Sequence, residues 1–223
     1  MDATLRRLAP LSGVAFVALY VLSAVIGLSD SPDFAGPSEE IAQYYIDNND
    51  EILMSTVLAA IATPFFIFFV GCLRTAIARV EGGTTRLATT AFGSAMAAVA
   101  LGIGGVMVNA MAALRVDEQG EISSEVATAY FDIGQILSFA AVPAAIAAGL
   151  AATAVASLRY RAVLPAWLAY LTLVLALVDV IPPISWIGTM VGILWVLVVS
   201  VLLYTQGAGE DDAAPGVAQV PAR

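Results

Sequence analysis

Six long apolar runs joined by short polar connectors pattern this chain: Leu11–Leu28, Ile52–Ile77, Leu87–Leu114, Tyr130–Leu158, Val163–Val180 and Ile184–Tyr204. An uninterrupted apolar stretch of about 18 residues or more reads as a membrane-spanning helix. The pattern therefore predicts an all-α polytopic membrane bundle with six transmembrane helices over residues 1–204. The longest connector, Ser29 to Glu51, opens with turn formers (Ser29, Asp30, Ser31, Pro32, Asp33, Gly36, Pro37). Ser38 then reads as an N-cap, with Glu39 and Glu40 in a first turn where the helix dipole favours anions. Ile41, Tyr44, Tyr45 and Asn48 follow at helical spacing, which predicts an amphipathic helix over Ser38–Asp47 lying on the outer membrane surface. The connector around Gly82 and Gly83 reads as a tight turn, that from Val116 to Ser124 is acidic, and Pro182-Pro183 reads as the hairpin between the last two spans. Beyond Tyr204 the residues turn to Gly, Ala, Pro and acids, so 205–223 reads as a disordered cytoplasmic tail.

Composition agrees. Of 223 residues 60% are hydrophobic and 12% charged, with a mean hydropathy of +0.90. A soluble domain averages about 45–50% apolar and about 25% charged. The net charge of −9 conceals a segregation of signs. Arg6, Arg7, Arg74, Arg79, Arg86, Arg159 and Arg161 lie on one set of connectors, and Arg115 alone faces the other way. Asp30, Asp33, Glu39, Glu40, Asp47, Asp50, Glu51, Asp117, Glu118, Glu121 and Glu125 crowd the arginine-poor side. Arginine-rich short loops stay cytoplasmic, so both termini are expected inside. Basic residues before an apolar run also suit a signal peptide, but this run exceeds the usual 7–15 residues and no small-x-small site follows it, which favours a retained helix. The exclusive use of arginine over lysine points to a GC-rich bacterial genome and hence to a bacterial cytoplasmic (inner) membrane.

The missing residue types exclude chemistry. Without histidine there is no imidazole base, haem ligand or histidine-bound zinc. Without lysine there is no Schiff base, and Cys72 alone makes neither an intrachain disulfide nor a thiolate cluster. Gly102-Ile103-Gly104-Gly105 sits inside a span and reads as packing rather than as a phosphate cradle. The chain is expected to be no enzyme, to carry no cofactor or metal and, lacking a basic patch, to bind no nucleic acid. Its expected partners are the lipid bilayer and either another membrane protein or a second copy.

Ser38–Asp47 aligns with Ser123–Asp132, with Ser, Glu, Ala, Tyr and Asp in register, and each copy precedes a span with an internal proline, Pro64 or Pro143. This reads either as a two-helix repeat or as two helix starts sharing capping chemistry. Both prolines free backbone carbonyls that need partners inside the bundle. The fourth span carries two rows of small residues, Ala140, Ala144, Ala148, Ala152, Ala156 and Ala141, Ala145, Gly149, Thr153, Ser157, suited to close helix approach. Gly188-x-x-x-Gly192 in the last span fits internal packing or a dimer. Trp167 and Tyr204 fall near one membrane boundary and Trp186 near the other, as an aromatic belt.

Polar side chains in spans are the candidate site: Asn109, Asp132, Gln135 and Asp179, with Arg115 as a partner for either acid. At about 1.5 Å per residue, Asp132 is roughly 40 Å from Arg159 and Asn109 roughly 35 Å from Arg86, which puts both near the outer edge of a core about 30 Å thick. Asp179, roughly 27 Å from Arg161, is the deepest acid. Asp132 and Gln135 share a helix face. If the third, fourth and fifth spans converge, these residues form an outer-leaflet pocket for a cation or a lipid headgroup; otherwise they are interfacial groups satisfied by water. No ionisable residue continues a proton path inward.

Six spans in this length, Pro37-Ser38-x-Glu40-Ile41-Ala42-x-Tyr44-Tyr45 before the second span, and Leu164-Pro165-x-Trp167-Leu168 at the fifth are similar to a group of small bacterial integral membrane proteins known only as a domain of unknown function. The resemblance covers nearly the whole chain, implies the six-helix fold and carries no activity. Two functions stay open: an accessory protein that packs with other membrane proteins or itself, and a carrier or binding protein for a small apolar, amphipathic or cationic molecule or lipid.

Overall fold

The computed structural model describes residues 8–27, 31–83, 85–161, 163–181 and 184–212, without the side chains of 207–212. A 3-10 turn (Ala9–Leu11) leads into α1 (Ser12–Gly27). Then follow α2 (Ser38–Asp47), α3 (Asn49–Glu81), α4 (Arg86–Gln119) and α5 (Ser124–Ile136). A π segment (Leu137–Ala141) joins α5 to α6 (Val142–Tyr160), and α7 (Ala166–Asp179) and α8 (Ser185–Asp212) follow. Among the described residues, five segments are long and apolar enough to cross a membrane: Ala9–Gly27, Asn49–Glu81, Arg86–Gln119, Ser124–Tyr160 and Ser185–Gln206. With this composition, the chain is a multi-pass helical membrane bundle.

Successive neighbours close a ring. α1 packs on α3, α3 on α4, α4 on α6, α6 on α7, α7 on α8, and α8 returns to α1. The helices of this ring alternate in direction, so Glu81, Arg86 and Arg159 share one end, and Asn49, Gln119 and Ser124 the other. The core of the ring joins Phe66, Phe69, Leu73, Leu150, Leu168, Trp195 and Val199. A second core lies outside the ring at the acidic end, where Ile41, Tyr45, Ile52, Ala112, Val116, Ala127 and Phe131 cluster.

Close approach rests on small residues, because lipid offers no hydrophobic drive for helices to associate. A β-carbon at Gly13 of α1 would overlap the Ser200 hydroxyl of α8, and one at Gly27 would overlap Ser55 of α3. The Ser23 hydroxyl donates to Ser55 O at 2.7 Å beside that contact. Trp195 Nε1 donates to Thr172 Oγ1 at 2.7 Å and pins α8 to α7. At the arginine end, the Glu81 carboxylate accepts from Leu87 N at 2.9 Å and Ala88 N at 2.8 Å. One residue thus ends α3 and satisfies two orphan donors at the start of α4.

Several expectations need correction. The fifth apolar run, Val163–Val180, forms a helix only over Ala166–Asp179, which is 14 residues. That is roughly 21 Å of helix against a core of about 30 Å. Pro165 is the cause: it sits extended at the N-cap and keeps Leu164 out of the helix. The expected Pro182-Pro183 hairpin lies outside the described residues. Residues 205–212, read as part of a disordered tail, continue α8, whose first proline beyond Tyr204 is Pro215. Gln206 Nε2 donates to Val163 O at 3.3 Å and ties that end to the α6–α7 connector; 213–223 lie outside the described residues. Helix α2 has the expected bounds, but its N-cap is Pro37 rather than Ser38. Its apolar face does not lie on lipid: Ile41, Ala42 and Tyr45 are buried against α5 and the end of α4.

The two similar segments pack on one another. α2 lies against α5, and the equivalent residues Ala42 and Ala127 are both buried in the outer core. The likeness stops there, because the helices that would complete the two units, α4 and α7, have 34 and 14 residues.

Candidate functional site

The ring encloses a cavity of about 220 Å³ lined by residues from all six of its members. Its walls are mainly apolar. Phe16 comes from α1, Phe66 and Phe69 from α3, Ala95 and Gly102 from α4, Ile146 from α6 and Trp195 from α8. Phe16 stacks tilted on Phe66 at 4.8 Å, and Phe69 meets Trp195 edge-on at 6.4 Å. α7 contributes one lining residue, Asp179. It is its helix's last residue, just 4% exposed. Its Oδ1 is buried without a hydrogen-bond partner among the described residues. A β-carbon at Gly188, in the first turn of α8, would overlap that oxygen, so glycine is what admits the carboxylate.

A second, more polar chamber of about 150 Å³ lies toward the acidic end. Ser23, Tyr44, Tyr45, Asn109 and Gln135 line it. The Tyr45 hydroxyl donates to Asn109 Oδ1 at 2.6 Å, and Tyr44 donates to Gly27 O at 2.8 Å, so α2 is tied to both α4 and α1. Asn109 Nδ2 donates to Gly105 O at 3.3 Å. Gly134 of α5 leaves the space that the Asn109 amide fills. Burial raises the Tyr45 phenol above its ordinary value, with smaller contributions from Tyr44 and the Asp132 carboxylate. Tyr45 therefore stays a donor. Tyr20, Ala59, Val106 and Ser138 line both spaces and form the wall they share.

The five candidate residues thus do not form one site. Asn109 and Gln135 share the second chamber. Asp132 stands beside Tyr45, half-buried, with its Oδ1 buried and unpartnered among the described residues. Asp179 faces the central cavity instead. Arg115 is exposed, and no ion pair joins it to either acid among the described residues. It lies in the last turns of α4.

Sequence reasoning missed the aromatic walls and Tyr45. Phe16, Phe69 and Trp195 sit in runs that are apolar all round, and nothing in such a run says which side faces inward. Tyr45 carries a signal in hindsight: it follows Ile41 and Ala42 on one face of α2, and that face is the buried one. The carbonyl freed by Pro143 does find a partner. Phe139 O, four residues before the proline, accepts from the Ser185 hydroxyl of α8. The strain at that point is absorbed by the π segment, where Val142 N–H bonds to Leu137 O.

The chain matches no family model, no curated protein and no solved structure.

Proposed function

We propose that this protein binds or carries a small, largely apolar molecule in the cavity at the centre of its ring, with the outer chamber as the polar approach. The observation that supports this most is the cavity itself: all six ring helices face it, and its aromatic walls enclose about 220 Å³. An engineered cavity of about 150 Å³ already holds benzene. The inward row on α6 supports the choice over a purely accessory role. Gly149, Thr153 and Ser157 are buried inside the bundle, Gly188 packs on Asp179 and Gly192 faces the cavity. Ala144 and Ala148 remain exposed and keep a contact with another membrane protein or a second copy as the alternative reading.

In this reading all six ring helices cross the membrane and both termini are cytoplasmic, with the arginine end inside. α7 then crosses as a short helix of roughly 21 Å, lengthened by about 3.3 Å at Pro165, which is extended at its N-cap. The membrane is a bacterial cytoplasmic membrane and the protein is not an enzyme.

Gly192 provides the test. It lines the cavity, and a β-carbon there meets nothing within 4 Å. Gly192→Leu should fill the space without disturbing the fold. Native mass spectrometry of gently extracted protein should show a retained small molecule on the unaltered chain and none on Gly192→Leu. A bare chain in both, or a stoichiometric protein neighbour and no small molecule, would remove this reading.

A further inference from the structure

We infer that the occupant of the central cavity is a small organic ammonium, its charge against Asp179 and its apolar body between the aromatic walls. The inference rests on the binding role proposed above and names the ligand class.

The starting point is a buried carboxyl without a partner. Asp179 is 4% exposed and its Oδ1 has no hydrogen-bond partner among the described residues. An ionised carboxylate only accepts hydrogen bonds, and burying one without a partner is costly. Among the described residues no arginine lines the cavity, and the hydroxyls of Thr63, Thr153 and Thr189 are turned to backbone. Thr189 Oγ1 donates to Ser185 O at 3.3 Å and Thr153 Oγ1 to Gly149 O at 2.8 Å. Helix ends do not cancel the charge. Asp179 ends α7, whose terminus is electronegative, and touches the first turn of α8, whose terminus is electropositive. The two oppose each other.

The rest of the cavity selects among cations. A bare metal ion needs several oxygen or nitrogen ligands, and no group of three His, Cys, Asp or Glu side chains gathers anywhere among the described residues. Aromatic faces at Phe16, Phe66, Phe69 and Trp195 suit an organic body, and they also attract a cation. The volume of about 220 Å³ is below the usual drug-sized range of about 300–1,000 Å³. It fits a molecule on the order of ten heavy atoms. One carboxylate and one apolar chamber together describe a monovalent amphipathic amine.

Trp195 is the reporter, since Trp167 and Trp186 are exposed and can be replaced by phenylalanine. Two probes of equal shape are titrated into the full chain in nanodiscs while Trp195 emission is followed: phenethylammonium and propylbenzene, which carries a methyl in place of the ammonium. Phenethylammonium should bind at least tenfold more tightly to the parent than to Asp179→Asn, and Asp179→Glu should keep most of that preference. Propylbenzene should bind both alike. Equal binding of phenethylammonium to parent and Asp179→Asn overturns the inference. Saturable propylbenzene binding with no response to the amine also overturns it, while the cavity reading stands. No response to either probe overturns both. If Asp179→Asn does not fold, the comparison of the two probes on the parent decides: a preference for the amine supports the inference and its absence overturns it.

Discussion

Gly149 of α6 donates its backbone N–H to the Ser94 hydroxyl of α4 at 2.9 Å, and that hydroxyl in turn donates to Ala145 O. Ser94 thereby bridges the two groups that one helical turn would pair with each other. The side chain is accommodated because position 149 has none. α4 and α6 are the pair this contact brings together, and they form one wall of the central cavity.

The bridge predicts a rank order of stability. A β-carbon at 149 would lie 2.9 Å from Ser94 Oγ and 3.1 Å from Ala91 O, and the second atom is backbone that cannot rotate away. Gly149→Ala should cost about 1–3 kcal/mol, the range for overpacking. Ser94→Ala should cost less, about 0.6 kcal/mol, the average for hydrogen bonds between membrane helices. Unfolding in mixed micelles measures both; Gly149→Ala melting with the parent would show that the helices do not cross here.

Ser185 and Pro143 should be energetically coupled. Ser185→Ala leaves Phe139 O without its cross-helix donor and should cost about 1 kcal/mol. Pro143→Ala restores an N–H in α6 within reach of that carbonyl. In a double-mutant cycle the second change should recover most of the first loss. Strict additivity would mean that the serine does not answer the proline.

Glu81 should matter more than an exposed acid usually does. Its two oxygens accept from Leu87 N and Ala88 N. Glu81→Ala removes both acceptors and should destabilise the α3–α4 turn by about 1 kcal/mol. Glu81→Gln keeps one acceptor and should lie between. Hydrogen exchange at Leu87 and Ala88 reads the effect directly, and unchanged protection in Glu81→Ala would rule out the cap.

Alkali should loosen the outer core through Tyr45. Its phenol is held above the ordinary 10.0, so the folded state keeps the proton that the unfolded chain gives up. This contribution is complete below pH 10.0 and declines as pH rises past it. Tyr45→Phe should cost about 1 kcal/mol at neutral pH through the lost bond to Asn109. It should also reduce the loss of stability as pH rises past about 10. The same decline in both proteins would assign it to other groups.

Much of the secondary structure was legible because its causes are local. The apolar runs marked where helices lie, and Ser38–Asp47 was readable to the residue from its turn formers and its alternating faces. Pro143 was readable as a source of a free carbonyl, though not Ser185 as the group that would meet it, since 46 residues separate Phe139 from Ser185. The candidate site was legible in part. Polar residues in apolar runs stand out, and Asp179 was singled out as the deepest acid. Its separation from Asn109 and Gln135 was not readable, because depth along a helix says nothing about rotation around it. Whether Arg115 pairs with either acid was not readable for the same reason; among the described residues no ion pair joins them.

Apolar length, proline position and the spacing of turn residues determined which stretches are helical and that the protein belongs in a membrane, because hydrogen-bond satisfaction and transfer from water act on each segment separately. The order of helices around the ring, the cavity inside it and the burial of Asp179 against Gly188 were decided only by the tertiary structure. A helix that is apolar on every side has no preferred inward face of its own. It acquires one when a glycine on one helix and a side chain on another find that they fit.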